Sequence, residues 1–230
     1  MARVSLLAFG VMVVGCTDHN GGAGMIVLEN TAPSGTSCML TGVVGQPTFS
    51  QGEIYVGSTV PYIMTPLIES RITAIMGQEP ERTILLSGAN VSLAATSSTG
   101  AAVSLGADAT FTSVFAGSIP PGGTVNVSFA LVPTSVLAKV SQTSDTEIVA
   151  TVTVLGTLGG GQVEAEPFSY PVTACDDCIV NDIGSCGSGA SGANLGNPCN
   201  AFQDGIVDCC EVGSGSGSGS AVELQCPAAG

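Results

Sequence analysis

The sequence has no tryptophan, three tyrosines, one histidine and only four cationic side chains. A sugar-processing cleft needs two facing acids and usually aromatic platforms, and with aromatics at 4% there is little to build one from. The only histidine, His19, lies close to the N-terminus. Ser-His and Cys-His catalysis therefore lose their usual proton carrier, and His-ligated metal motifs are absent. Arg3, Arg71, Arg82 and Lys139 face eighteen acids, for a net charge of -14. So few cations cannot displace counterions from a phosphate backbone, which excludes nucleic acid as a partner, and they cannot form a basic patch for anionic lipid. A Ser–Lys dyad would have to use Lys139 with Ser135 or Ser141, and a solvated lysine is the expectation. No apolar run is long enough to cross a bilayer: the longest near the start, Val4 to Val14, has the size of a signal-peptide core.

What is present is aliphatic and β-branched. Hydrophobic residues make up 44% of the chain, interleaved with Thr and Ser, a mixture that favours strands. "TVNVSFALV" (124–132) puts Val125, Val127, Phe129 and Leu131 on one face. "TEIVATVTVLG" is apolar on both faces at Ile148, Val149, Val152 and Val154, as a central strand would be. In "QVEAEPFSYPV" the apolar phase changes at Pro167, which predicts a bulge, and Pro167 with Pro171 predicts an edge strand. "SSTG", "PPGG" and "LGGG" mark turns between strands. The expectation is an all-β fold, an antiparallel β-sandwich over residues 25–173, with about seven or eight strands and an irregular, disulfide-rich tail over 174–230. Residues 66–76 suit either helix or strand, and "PTSVLAKV" suits one helical turn.

The N-terminus supplies an address. One cation precedes the apolar core, which ends in Val13-Val14-Gly15-Cys16. This looks like a bacterial lipobox, in which the sulfur of Cys16 takes a diacylglyceryl group and the small Gly15 admits cleavage in front of it. Residues 1–15 are then a signal peptide, and 16–24 are a flexible tether. The partner implied is a membrane, held through acyl chains at about 0.8 kcal/mol per buried methylene. By resemblance to Gram-negative lipoproteins, Thr17 after the lipidated cysteine is compatible with the outer membrane.

Nine cysteines less Cys16 leave eight: Cys38, Cys175, Cys178, Cys186, Cys199, Cys209, Cys210 and Cys226. An even number in an oxidising compartment predicts disulfides. Cys175-Asp-Asp-Cys178 holds two carboxylates between its sulfurs, which disfavours the thiolate that a redox couple needs, while a zinc site has no histidine nearby and an oxidising compartment consumes free thiols. Seven of the eight lie in the tail, so full oxidation requires at least one bridge from the tail to Cys38. The tail shows no apolar pattern for a core, which leaves its order to disulfides, and "GSGSGSGS" (213–220) is a flexible spacer. Asp176, Asp177, Asn181 and Asp182, with Asn200, Asp204, Asp208 and Glu211, offer oxygen ligands for calcium but follow no EF-hand spacing. Glu164 and Glu166 are expected as solvated carboxylates. Asn90 and Asn126 sit in Asn-x-Ser triplets within strands.

Lipobox, tether, "MIVLENTAPSGTSC", a strand-rich middle, "FSYPVTACDDC" and a Cys-rich end together resemble a loose group of bacterial lipoproteins with no assigned activity. The middle also looks like immunoglobulin-type or desiccation-protein-type sandwiches, which transfers no function. The expectation is a lipid-anchored envelope lipoprotein, a structural or protein-binding module with a protein partner in the envelope. No catalytic residue, metal or cofactor is assigned. The alternative is an enzyme or accessory subunit acting on an envelope polymer through carboxylates.

Overall fold

A computed structural model describes residues 24–33, 37–140, 145–176, 178–186, 194, 196–212 and 223–225. Gly15, Cys16, His19, Ser141, Asp177, Cys226 and the Gly/Ser spacer lie outside these residues. In chain order the strands are β1 (Met25–Thr31), β2 (Thr48–Phe49), β3 (Gly52–Tyr55), β4 (Tyr62–Met64), β5 (Pro66–Ser70), β6 (Ile84–Ser97) and β7 (Ala102–Val103). Then come β8 (Thr110–Ile119), β9 (Thr124–Asn126), β10 (Phe129–Val132), α1 (Thr134–Leu137), β11 (Thr146–Leu158), β12 (Gly161–Glu164) and β13 (Phe168–Cys175). The tail carries β14 (Val180–Ser185), β15 (Gly196–Asn197), β16 (Asn200–Ala201), β17 (Val207–Val212) and β18 (Glu223–Gln225).

Two sheets enclose one core. The larger has the order β3-β13-β11-β6, with β7 and β8 both on the far side of β6 and β12 continuing beside β11. The smaller runs β2-β1-β5-β9, and the β10-β4 pair extends its last two strands. β4 and β5 are one strand interrupted at Thr65, because Pro66 has no N–H to give to the ladder. Val127 donates to the Pro66 carbonyl across the break (3.3 Å). Inward side chains from both sheets, among them Met25, Met64, Ile68, Ile84, Val91, Ile148, Val152 and Val172, form a single cluster. The fold is all-β, as the alternation predicts.

β11 is central, flanked by β6 and β13, but its two faces differ. Thr146, Ile148, Ala150, Val152 and Val154 are buried, whereas Val149 reaches solvent. The bulge at Pro167 is present: two β11 residues, Thr153 and Val154, face three, Ala165, Glu166 and Pro167, between the paired positions Leu155–Glu164 and Val152–Phe168. The edge-strand expectation for this segment needs correction. β3 pairs in parallel with β13 from Val172 onward, immediately after the last proline. Pro171 thus limits where the neighbour attaches without keeping it away. Residues 66–70 are strand, and Val136 and Leu137 of α1 are buried beneath the sandwich end. Lys139 is not simply solvated: its ammonium donates to the Leu105 carbonyl (2.6 Å) and pairs with Asp108, clasping α1 to the 3-10 turn at Gly106–Ala109.

The tail departs most from expectation. It has a small core of its own, Ile179, Phe202, Val207 and Cys209, packed with Tyr55 and Val60 of the sandwich. β14 pairs in parallel with β17, and β17 with β18 antiparallel. Sequence alone hides this cluster, because its members come from separate short stretches of a tail rich in Gly, Asn and Asp. Disulfides join Cys38 to Cys199, Cys175 to Cys178 and Cys186 to Cys210, with Cα separations of 5.3, 5.7 and 4.9 Å. Cys209 is disulfide-bonded as well. The first of these bridges is the link between tail and sandwich.

Candidate functional site

The densest polar arrangement among the described residues lies where the tail meets the sandwich. β3 ends one sheet and β4 has a strand on one side only, so each leaves an edge of unpaired backbone groups. Residues 202–204 cover both. Tyr55 N donates to the Phe202 carbonyl (3.0 Å), and Asp204 N donates to the Glu53 carbonyl (3.0 Å). On β4, the Gln203 side chain acts as a one-residue strand: its Oε1 accepts from Ile63 N (2.7 Å) and its Nε2 donates to Ile63 O (2.9 Å). Phe202 and Asp204 adopt φ of 64° and 49°, which turns successive side chains into the cleft. Phe202 packs on Tyr55 with ring centroids 6.3 Å apart.

Asp204 is the hub. Its Oδ1 accepts from Glu53 N (3.0 Å), and its Oδ2 accepts from the Tyr62 hydroxyl (2.9 Å) and from Gln203 Nε2 (3.1 Å). Tyr62 and Tyr170 oxygens lie 3.1 Å apart, and Asn30 Nδ2 donates to the Tyr170 oxygen (2.9 Å). Thr65 N donates to Asn30 Oδ1 (2.8 Å), which fixes the orientation of the amide. With its proton committed to Asp204, Tyr62 must accept from Tyr170. The chain Thr65–Asn30–Tyr170–Tyr62–Asp204 therefore runs in one direction, each donor pointing toward the carboxylate.

Burial dominates the ionisation of these groups. It drives the Tyr62 phenol far above its ordinary value, aided by the nearby Asp204 charge, and pushes Tyr170 up to about 12. Burial also lifts the Asp204 carboxyl above the usual range; the Glu53 amide, Tyr62 and Gln203 oppose it as donors. The folded state then binds this proton more tightly than the unfolded chain does. Asp204's contribution to stability is full below the ordinary aspartate value and declines as pH rises through the folded value. Asp204→Asn removes that titration. The stability of the wild-type chain relative to Asp204→Asn, measured by urea unfolding, is expected to fall as pH rises above the ordinary aspartate range. A difference that grows with pH would contradict the arrangement.

No protein-family model matches this chain, and no curated protein matches it. Among solved structures, a protein from Archaeoglobus fulgidus is similar at 12% identity and a TM-score of 0.31, over 54% of this chain and 90% of that one. At that score the likeness carries no argument about fold or function.

The other residues singled out from sequence are dispersed or already engaged. Asp204 was a calcium candidate, but it turns inward to Tyr62. Asp208 accepts from Asn181 Nδ2 (2.7 Å) and Asn194 N (2.8 Å), donors that hold its carboxyl below the usual range, and Asp182 accepts from Gly184 N (2.8 Å). Among the described residues, no three His, Cys, Asp or Glu side chains are grouped to hold a metal. Glu164 and Glu166 are exposed. Asn126 accepts from Gly42 N (2.9 Å), while Asn90 stands on the outer face and accepts from Thr112 (2.9 Å). A surface depression of about 420 Å³ there is lined by Asn90, Ser92, Thr110, Thr112, Thr151 and Thr153, with no acid among them. Sequence reasoning missed Asn30, Tyr62, Tyr170 and Gln203. One signal was available: the chain has three tyrosines, and all three converge on this junction.

Proposed function

We propose that the chain is a lipid-anchored protein of the bacterial cell envelope, tethered through Cys16 and acting as a structural or protein-binding module rather than as an enzyme. The observation that carries the reading is the Cys38–Cys199 bridge, which spans 161 positions and joins the tail to the sandwich. Such a bond forms and persists in an oxidising space, which agrees with export behind the Val13-Val14-Gly15-Cys16 signal. The junction supports a non-catalytic role: Tyr62, Asp204, Gln203 and Asn30 spend their hydrogen-bonding groups on one another and on backbone. Among the described residues no helix is long and apolar enough to cross a membrane. A mature envelope protein of this kind would present its loops and sheet edges to a protein partner, at the outer membrane if Thr17 is read as in Gram-negative lipoproteins.

Mass spectrometry of the mature chain from its own membranes tests this. The expected result is a first residue at Cys16 carrying diacylglyceryl, with no alkylatable thiol. An unmodified Cys16 together with free thiols at Cys175 and Cys178 would sink the proposal.

A further inference from the structure

The end of the sandwich at which β1 begins carries an ordered loop with an apolar tip. Arg71 N donates to the Gly24 carbonyl (2.9 Å), so the loop 71–83 starts beside the first described residue. Ile72 packs against the core and fixes its base. From there the loop is tied to itself. Gln78 N donates to the Ile75 carbonyl (3.0 Å), and Gly77, at φ 82°, takes the third position that a type II turn reserves for glycine. Arg82 Nε donates to the Thr73 carbonyl (2.9 Å), Gly77 N to Glu79 Oε1 (3.2 Å) and the Thr83 hydroxyl to the Glu79 carbonyl (2.7 Å). This frame holds Ile75 and Met76 outward. Met76 is 96% exposed, more than any other large apolar side chain among the described residues. Leu85, also exposed, stands close by near the start of β6. The turns 120–123 and 159–160, which share this end, carry no charge.

We infer that this end of the sandwich faces the membrane, and that Ile75 and Met76 seat in the headgroup boundary of a zwitterionic phospholipid bilayer, the one that holds the Cys16 lipid. The inference rests on the lipid-anchored reading. Cys16 precedes Gly24 by eight positions, and no conformation of that many residues reaches beyond about 29 Å. The other exposed apolar loop, with Met39, Val43 and Val44, leaves β1 at Thr31, about 20 Å further along the strand. The loop 71–83 is therefore the one nearer the anchor. Apolar side chains gain by entering the boundary to a depth of about 5–10 Å, provided that backbone groups keep their partners. The bonds at Ile75 O, Gly77 N and Glu79 O reduce that cost at the tip. Two of the chain's four cations, Arg71 and Arg82, flank the tip, where a guanidinium can reach phosphate oxygens while its stem lies against apolar groups. Glu69, Glu79 and Glu81 offset them, Glu69 by pairing with Arg71 (3.3 Å). The surface thus has no net attraction for anionic lipid, and the contact is apolar.

Two methionines of the unsubstituted chain report the outcome. The mature chain is attached to phosphatidylcholine vesicles through Cys16, by its own diacylglyceryl or, for unlipidated chain, by a maleimide lipid. It is then treated with a charged, membrane-impermeant oxidant, and peptide mapping follows sulfoxide at Met76 and Met39. The ratio of Met76 to Met39 oxidation is expected to fall severalfold on vesicles relative to the same chain without lipid in solution. An unchanged ratio, or protection of Met39 instead, overturns the inference. Met76→Trp adds a second readout in a chain with no other tryptophan. Its emission should move to shorter wavelength and be quenched by lipids brominated on their acyl chains, while Val44→Trp should show neither effect. Both positions are exposed, so neither substitution disturbs the core. Equal quenching at the two positions, or none at either, overturns the inference. Missing diacylglyceryl on Cys16 counts against the lipid-anchored reading alone, whereas an unprotected Met76 on vesicle-attached chain counts against this inference alone.

Discussion

Gly52→Ala is expected to lower the unfolding free energy by about 3 kcal/mol or more and to undock the tail. A Cβ at Gly52 would stand 2.5 Å from Cζ and the hydroxyl oxygen of Tyr62. Tyr62 is fully buried, with the Tyr170 ring 6.2 Å away, so its ring cannot yield without surrendering the bonds to Asp204 and Tyr170. Overpacking a filled site costs about 1–3 kcal/mol. Each buried polar group stripped of its partner adds about 1–3 kcal/mol. Tyr62→Phe is the matched control: it keeps the ring, removes the hydroxyl, and should cost only about 1–2 kcal/mol. Urea unfolding of the three proteins checks this, and a Gly52→Ala protein within about 0.5 kcal/mol of wild type would refute the packing described.

Gly88→Ala should be comparably damaging for a different reason. Here the added carbon would overlap the Ser113 carbonyl oxygen, a backbone atom of the neighbouring strand β8 that cannot rotate aside. The register of β6 shifts at this point against β8, where Leu86 faces Gly117 and Gly88 faces Val114, and against β11, where Leu86 and Gly88 face Gly156 and Leu155. Accommodating the methyl group means parting β6 from β8, at an expected loss of more than about 3 kcal/mol with faster amide exchange along Thr110–Ile119. Gly100→Ala calibrates the effect. Its φ of 82° strains any side chain, but nothing lies near a Cβ there, so the loss should stay near 1 kcal/mol. Equal effects at the two glycines would remove the case for a steric lock in β6.

Local alternation made the sandwich legible. β11 announces itself through Ile148, Val149, Val152 and Val154, read as apolar on both faces, although in the fold Val149 reaches solvent and the buried set keeps period two; the proline at 167 marks the bulge on the strand opposite it. β6 reads as a strand in the same way, but its register does not. Its buried phase passes from Ile84 and Leu86 to Ala89, Val91 and Leu93, and only Gly88 hints at the slip. Beyond the scarcity of tyrosine, nothing made the junction legible. Asn30, Tyr62, Tyr170 and Asp204 lie up to 174 positions apart, and each alone is an ordinary polar residue. Asp204 looked like a surface ligand because sequence shows its neighbours along the chain, while two of the three donors that occupy it come from β3 and β4. Hydrogen-bond partners of that kind follow no spacing rule, since the tertiary fold alone sets them.

The convergence of Tyr55, Tyr62 and Tyr170 on one junction, in a chain without tryptophan, gives the molecule an intrinsic optical gauge. Near-ultraviolet absorption and emission come almost wholly from rings that sit in or beside the tail cleft, with one phenol donating directly to a carboxylate. Loss of this junction on unfolding can therefore be followed on unlabelled protein through its tyrosines.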